Sequence, residues 1–255
     1  MLLTIDVGNT NILFGIFAGS QLTNHWRIGT HKYQTEDELG LVFTGLLNSA
    51  GCPAGQIRAI VASSVVPPLS DPLLQMCRRY FNLSPLLVSA ELDLGLEICY
   101  DNPREVGADR LATAAAGYHK YGGPLIVVDF GTATTFDVID SQGKYLGGCI
   151  CSGINTSAEA LYRYTAKLPR IEILRPAKVI GLNTVASMQS GLFYGYTAMV
   201  DGLIGYIEQE LGQPASVVAT GGLAPLLGES SAKIKAIEPW LILEGLRLIY
   251  ERNRP

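Results

Sequence analysis

Two stretches of this chain read alike: LLTIDVGNTNILFGIF at residues 2–17 and LIVVDFGTATTFDVID at residues 125–140. Each is an apolar strand, then Asp-x-Gly and a polar residue, then a second strand rich in apolar and β-branched side chains. Asp6 aligns with Asp129, Gly8 with Gly131 and Asn9 with Thr132. The offset is close to half of the 255 residues, which indicates a duplicated domain rather than a short solenoid unit. One Asp-x-Gly makes an ordinary hairpin; two at matched positions, each between strands, set the expectation for the whole fold.

The repeated bend has a chemical use. Gly lets the backbone turn sharply and approach another group, and Asn9, Thr10 and Thr132 offer amide and hydroxyl donors that can face an anion. A carboxylate beside such donors would repel a phosphate directly. It is better suited to hold a hydrated cation that bridges to the phosphate.

Working outward, residues 57–66 and 85–89 read as strands separated by a helix over 70–82. An amphipathic helix is expected over 36–49, starting after Thr35 with Asp37 and Glu38 in its first turn. In the second half, 144–151 continues the hairpin meander, 184–211 is a long helix and 216–220 a short strand. A final helix is expected over 239–252, with Pro239 in its permitted first turn. Hairpins followed by alternating helices and strands make an α/β protein of two related lobes. No Pro/Gly-rich linker separates them, so the expected domains, 1–117 and 118–255, should pack around a cleft.

Two further segments are singled out. Ala219-Thr220-Gly221-Gly222-Leu223-Ala224 follows an apolar strand, and paired glycines there let a planar group lie against the backbone beside free helix N–H donors. A simple tight turn is the alternative. Tyr100 to Arg110 reads as a turn entering a helix: Asn102 as cap, Pro103 at the first position, Glu105 reaching back, and Asp109 and Arg110 in the second turn. Gly107 is a poor helix former, which suggests that something must approach the backbone closely. A surface Asp–Arg pair of little energetic weight is the alternative.

In order, the two phosphate-type turns and the glycine pair resemble the superfamily of sugar kinases, acetate kinase, actin and the heat-shock chaperone ATPases. Asp-Val-Gly-Asn-Thr at 6–10, Asp-Asn-Pro-x-Glu-Val-Gly-Ala-Asp-Arg at 101–110 and Asp-x-Gly-Thr-Ala-Thr-Thr at 129–135 narrow the resemblance to type III pantothenate kinase. Leu182-Asn183-Thr184 and Thr220 to Ala224 are similar to later stretches of that family. The resemblance implies two duplicated ribonuclease-H-like, or actin-like ATPase, domains around a nucleotide cleft. It also implies transfer of the γ-phosphoryl group of ATP to the primary hydroxyl of pantothenate, the first step towards coenzyme A.

By that resemblance the loop Asp6, Val7, Gly8, Asn9, Thr10, Asn11, Ile12 and Leu13 holds the ATP phosphates, with Asp6 organising Mg²⁺. Thr132, Gly221 and Gly222 add nucleotide contacts, and Asp129 binds a monovalent cation, K⁺ or NH₄⁺. Tyr100, Gly107, Ala108, Arg110 and Thr184 contact pantothenate, and Asp109 is the general base. A homodimer is implied as well. The long helix is one candidate interface element, because Leu192, Phe193, Tyr196, Met199, Val200 and Leu203 recur at helical spacing; a core stripe explains them equally well. Two departures from the family pattern stand out. Ser152 occupies a place where Pro is expected, and Leu13 brings no charge to the phosphates.

Composition excludes other classes. Net charge is −4, with Lys and Arg scattered singly, so there is no basic field for nucleic acid. No apolar run reaches the roughly 18 residues of a membrane span, and Asp6 interrupts the only stretch that could imitate a signal peptide. A cytoplasmic protein is expected. The five cysteines, Cys52, Cys77, Cys99, Cys149 and Cys151, are odd in number, and no histidine is spaced to join them as metal ligands. They read as free thiols, with Cys149 and Cys151 sharing one face of a strand. The rival readings are a sugar or acetate kinase, which would not carry segment 100–110, and a non-catalytic ATP-binding regulatory protein. Intact Asp6, Asp109 and Asp129 weigh against the second.

Overall fold

The structure, a computed structural model, describes residues 1–254. In chain order its elements are β1 (Leu2–Val7), β2 (Asn11–Ala18), β3 (Gln21–Gly29), α1 (Glu36–Ser49), β4 (Ala59–Ser64), α2 (Ser70–Phe81), β5 (Leu86–Leu87), β6 (Glu97–Ile98), α3 (Ala108–Tyr121), β7 (Leu125–Phe130), β8 (Ala133–Ile139), β9 (Lys144–Ser152), α4 (Ile154–Arg163), α5 (Thr184–Leu211), β10 (Ser216–Thr220), α6 (Ala224–Gly228), β11 (Ala236–Ile237) and α7 (Leu241–Asn253). The chain divides into two units: Met1–His119 with the C-terminal segment from Trp240, and Lys120–Pro239.

In the first unit the sheet order is β3-β2-β1-β4-β5, with β1 antiparallel to β2 and parallel to β4. In the second unit β9-β8-β7-β10-β11 repeats that order, with β7 antiparallel to β8 and parallel to β10. The duplication read from the two hairpins is thus a duplication of topology. It is not perfect at the bends. Asp6 pairs with Leu13 but Asp129 pairs with Thr135, so the second bend is one residue shorter.

Alternation along the strands explains the layers. Leu3, Ile5 and Val7 of β1 share one core with Leu39, Phe43 and Leu47 of α1 and with Leu73, Met76, Cys77 and Phe81 of α2. Elsewhere in the same unit α7 covers Gly15 of β2: a methyl group there would lie 2.9 Å from Leu243 Cδ1. It also lies backbone-close to α3, since a methyl on Gly245 would come within 2.0 Å of Ala112 O. The absence of a side chain on Gly245 is what permits that approach. So α7 belongs with the first unit, whereas 118–255 was expected to be one domain. Leu241, Leu243, Leu246 and Ile249 are fully buried there, and nothing local in their sequence says against which sheet.

Helix ends follow their capping chemistry. Thr35 and Glu38 form a reciprocal box before α1, with Glu38 N donating to Thr35 Oγ1 (3.3 Å) and Thr35 N to Glu38 Oε2 (2.8 Å). Asn183 Oδ1 accepts from Ala186 N at 2.9 Å, and Gly212 closes α5 at φ 70°. The final helix starts at Leu241, not Pro239, and β4 and β5 are shorter than the runs 57–66 and 85–89. Helix α4 and strand β3 had no specific sequence signal. In α5 the helical stripe is core: Leu192, Phe193, Tyr196 and Val200 pack on Ile126, Val128, Phe130 and Phe136, with Met199 and Leu203 at its margin. Cys149 and Cys151 pack against the same core; among the described residues none of the five cysteines forms a disulfide, and only Cys77 is fully buried, its thiol pushed up to about 12 by desolvation. Among the described residues no helix is long and apolar enough to cross a membrane.

Candidate active site

Asp6 stands at the C-terminal end of β1, in register with Ser63 on the parallel strand β4. Such strand ends are where open α/β sheets present ligands. Ser63 is 1% exposed, and its hydroxyl donates to Asp6 Oδ1 at 2.7 Å. The turn that follows is closed by Gly8 N donating to Asn11 O (3.0 Å). Thr30, just after β3, clamps it from outside: its Oγ1 donates to Gly8 O (2.7 Å) and its N to Thr10 O (2.9 Å). Asn9, Thr10 and Asn11 are exposed, while Val7, Ile12 and Leu13 turn their side chains into the core. Of the expected loop 6–13, the side chains left open to solvent are those of the tip, Asn9, Thr10 and Asn11.

One rigid carboxylate beside an exposed polar tip fits a hard divalent ion, which binds through one or two carboxylates plus phosphate oxygens. Among the described residues no three His, Cys, Asp or Glu side chains gather into a cage.

Segment 100–110 folds differently from expectation. Asn102 caps a single 3₁₀ turn, Pro103–Glu105, with Asn102 Oδ1 accepting from Arg104 N at 3.3 Å. Glu105 bonds the Asn102 side-chain amide (2.8 Å) rather than its backbone. The chain then breaks, and α3 begins at Ala108, its first bond running from Leu111 N to Gly107 O (3.1 Å). Asp109 and Arg110 thus lie in the first turn of α3 rather than the second. Acid is favoured there by the helix dipole, and Arg110 N donates to Asp109 Oδ1 at 2.8 Å.

The reason for Gly107 is now specific. A methyl group on it would sit 2.4 Å from Asp109 Oδ1 and 3.7 Å from Val65 Cγ1. What approaches the glycine backbone is the Asp109 carboxylate itself. Val65 N in turn donates to Val7 O at 3.0 Å, so the head of α3 lies against the segment that borders the Asp6 turn. Asp109 is half-buried; desolvation pushes its carboxyl above the ordinary carboxylate range, against the pull of the Arg110 amide and guanidinium.

In the second unit Asp129 ends β7 in register with Thr220 on β10. The turn is closed by Gly131 N donating to Ala133 O (3.0 Å). Thr132 is exposed, and its carbonyl is held by Gly153 N (3.1 Å) and Thr156 Oγ1 (2.8 Å) at the start of α4. Gly221 has φ 91°, and a methyl there would come 2.3 Å from Asp129 Oδ1 and 2.7 Å from Phe130 O. Gly221 therefore lies directly against the acidic turn. Carboxylate and carbonyl oxygens packed this closely suit a hard cation.

Thr184 opens α5 and lines a hollow of about 580 Å³ with Gly181, Leu182, Asn183 and Ser187. Tyr100 is half-buried just ahead of the 3₁₀ turn. Ser152, the departure from the expected Pro, accepts from Tyr196 OH through its carbonyl at 2.6 Å. Sequence reasoning missed Ser63 and Thr30, and it named Thr220 only as part of the glycine-pair segment. Hydroxyl residues at strand ends are ordinary, and only the register between strands singles these out.

The family model for type III pantothenate kinase matches residues 2–205. Proteins named type III pantothenate kinase from Anaeromyxobacter sp. (strain K) and Myxococcus xanthus are 52% and 51% identical over 254 and 253 residues, covering 100% and 99% of both chains. That of Geobacillus kaustophilus is 50% identical over 253 residues, 99% of this chain and 98% of its own. At the level of fold alone, the ROK hexokinase of Thermus thermophilus (TM-score 0.52, 14% identity, 97% of each chain) and the ROK family glucokinase of Streptomyces griseus (TM-score 0.51, 11% identity, 98% and 99%) are similar. The two-unit α/β architecture is that of the actin-like ATPases and sugar kinases.

Proposed function

The chain belongs to the type III pantothenate kinase family, and on that footing we propose that it phosphorylates the primary hydroxyl of pantothenate with ATP, giving 4′-phosphopantothenate for coenzyme A synthesis. The observation that supports this most is the Asp109 carboxylate, half-buried at the head of α3 beside the segment that borders the Asp6 turn. A regulatory protein that only binds nucleotide would have no use for an acid held there at the cost of desolvation.

Asp109 accepts the hydroxyl proton as the alcohol oxygen bonds to the γ-phosphorus and the bridging bond to ADP breaks. Its raised affinity for protons makes it a better base than a solvated carboxylate. Arg110 forks onto the pantothenate carboxylate, with Tyr100, Gly107, Ala108 and Thr184 around the acceptor. The tip Gly8–Asn11 and Thr132 contact phosphates, and Gly221 and Gly222 lie against the nucleotide. Mg²⁺ supplies charge neutralisation on the phosphates and is held through Asp6. A monovalent cation, K⁺ or NH₄⁺, would be held at Asp129, whose Oδ1 lies with the Phe130 carbonyl oxygen against Gly221.

We further propose that the enzyme is a cytoplasmic homodimer. The dimer reading is supported by exposed apolar side chains between α4 and the start of α5: Tyr164 (88%), Ile180 (79%) and Leu182 (88%).

ADP release measured with pantothenate, glucose and acetate, each with and without K⁺ or NH₄⁺, tests the assignment. Turnover is expected with pantothenate alone and is expected to rise with the monovalent ion. Preference for a sugar or for acetate would overturn it.

A further inference from the structure

Ser63 lies outside every motif that led to the site, yet its hydroxyl makes a close contact with the first acidic turn. It faces Asp6 across the parallel pair β1–β4, in register, and donates to Oδ1 at 2.7 Å from a position 1% exposed. The other carboxylate oxygen lies on the turn side, since a methyl on Gly8 would sit 3.9 Å from Asp6 Oδ2. A carboxylate torsion is broad, and a hydrogen bond to one oxygen limits rotation of the carboxylate plane, which would otherwise turn the second oxygen away from the bend. The duplicated half repeats the register: Thr220, 3% exposed, is the partner of Asp129 on the parallel pair β7–β10. A hydroxyl residue thus stands beside the acid in both units, at equivalent places in two sheets of the same topology.

We propose that Ser63 is a positioning residue of the kinase: it pins Oδ1 of Asp6 so that Oδ2 is presented towards the phosphate turn and its divalent ion. The inference rests on the assignment of Asp6 to that ion. Hydroxyl and amide partners that orient metal-binding carboxylates typically change metal affinity 10–100-fold when removed.

The test is Mn²⁺ affinity in the presence of a non-hydrolysable ATP analogue, read by electron paramagnetic resonance on the full chain. Ser63→Ala is expected to weaken Mn²⁺ binding by about tenfold or more, and Ser63→Thr, which keeps the hydroxyl, to stay near the native value. The apparent KM for pantothenate should be unchanged in both. If Ser63→Ala does not fold, Ser63→Cys, similar in shape but a weak donor, is expected to show the same loss. Native Mn²⁺ affinity in a folded Ser63→Ala or Ser63→Cys chain would overturn the positioning role while leaving the kinase assignment intact. A native chain that binds no Mn²⁺ with the nucleotide would overturn both.

Discussion

Asp109 owes its chemistry to a balance between burial and two favourable neighbours, and burial wins. The sign of that balance has two consequences. For activity, the base form is lost as pH falls through a value above the ordinary carboxylate range. The acid limb of kcat/KM should therefore lie higher than for an exposed carboxylate, as a pH–rate profile would read. For stability, a raised folded pKa means that the folded chain binds more protons than the unfolded chain between the two values. Stability then falls as pH rises through that window, and above it the ionised Asp109 is a net cost. Asp109→Asn should accordingly lose about 10²–10⁴-fold in kcat while its thermal midpoint equals or exceeds the native one. A fall in both together would make Asp109 structural rather than catalytic. Gly107→Ala should act through the same carboxylate. The added methyl would meet Oδ1 at 2.4 Å, and the side chain must swing away. A displacement near 1 Å can cost roughly 10²-fold in rate, so kcat should fall steeply with little change in the melting curve.

At the scale of elements, the proposed enzyme works through its bends, and the strands hold their register. Gly221→Ala would have to adopt φ 91° and place a methyl within 2.7 Å of a backbone carbonyl that cannot swing aside. Strain of this kind costs about 1–3 kcal/mol; urea denaturation should show it, together with loss of activation by K⁺ or NH₄⁺. The two hairpins and α5 were legible in the sequence because their signals are local: Asp-x-Gly between strands, Asn183 as cap, Gly212 as stop. The start of α3 was misread because Asn102, Pro103 and Glu105 do begin a helix, but a 3₁₀ one of a single turn. Gly107 was rightly marked as a close approach, yet the approaching group was a side chain two residues on. Ser63 and Thr30 bond across strands and Thr220 meets Asp129 only in register, and a cross-strand relation leaves no trace in linear spacing.

At the scale of the whole molecule, duplication gave two acidic turns, and the proposed enzyme uses each differently: Asp6 for the divalent ion, Asp129 for the monovalent one. The affiliation of α7 with the first unit was not readable, because an amphipathic helix fits either sheet until packing decides. The stripe of α5 was ambiguous for the same reason, and it resolved as core. Self-association is therefore expected to use the exposed apolar residues ahead of that helix. Ile180→Glu with Leu182→Glu should convert a dimer to a monomer in light scattering after gel filtration; an unchanged mass would direct the interface elsewhere.

The decisive comparison is pantothenate-dependent ADP release by the native chain, Asp6→Asn and Asp129→Asn under saturating Mg²⁺, K⁺ and ATP. Turnover by the native chain and a loss of at least about 10²-fold in each variant are expected if both turns serve one phosphoryl transfer. Native release that ignores pantothenate, or full activity in either variant, would contradict that shared role.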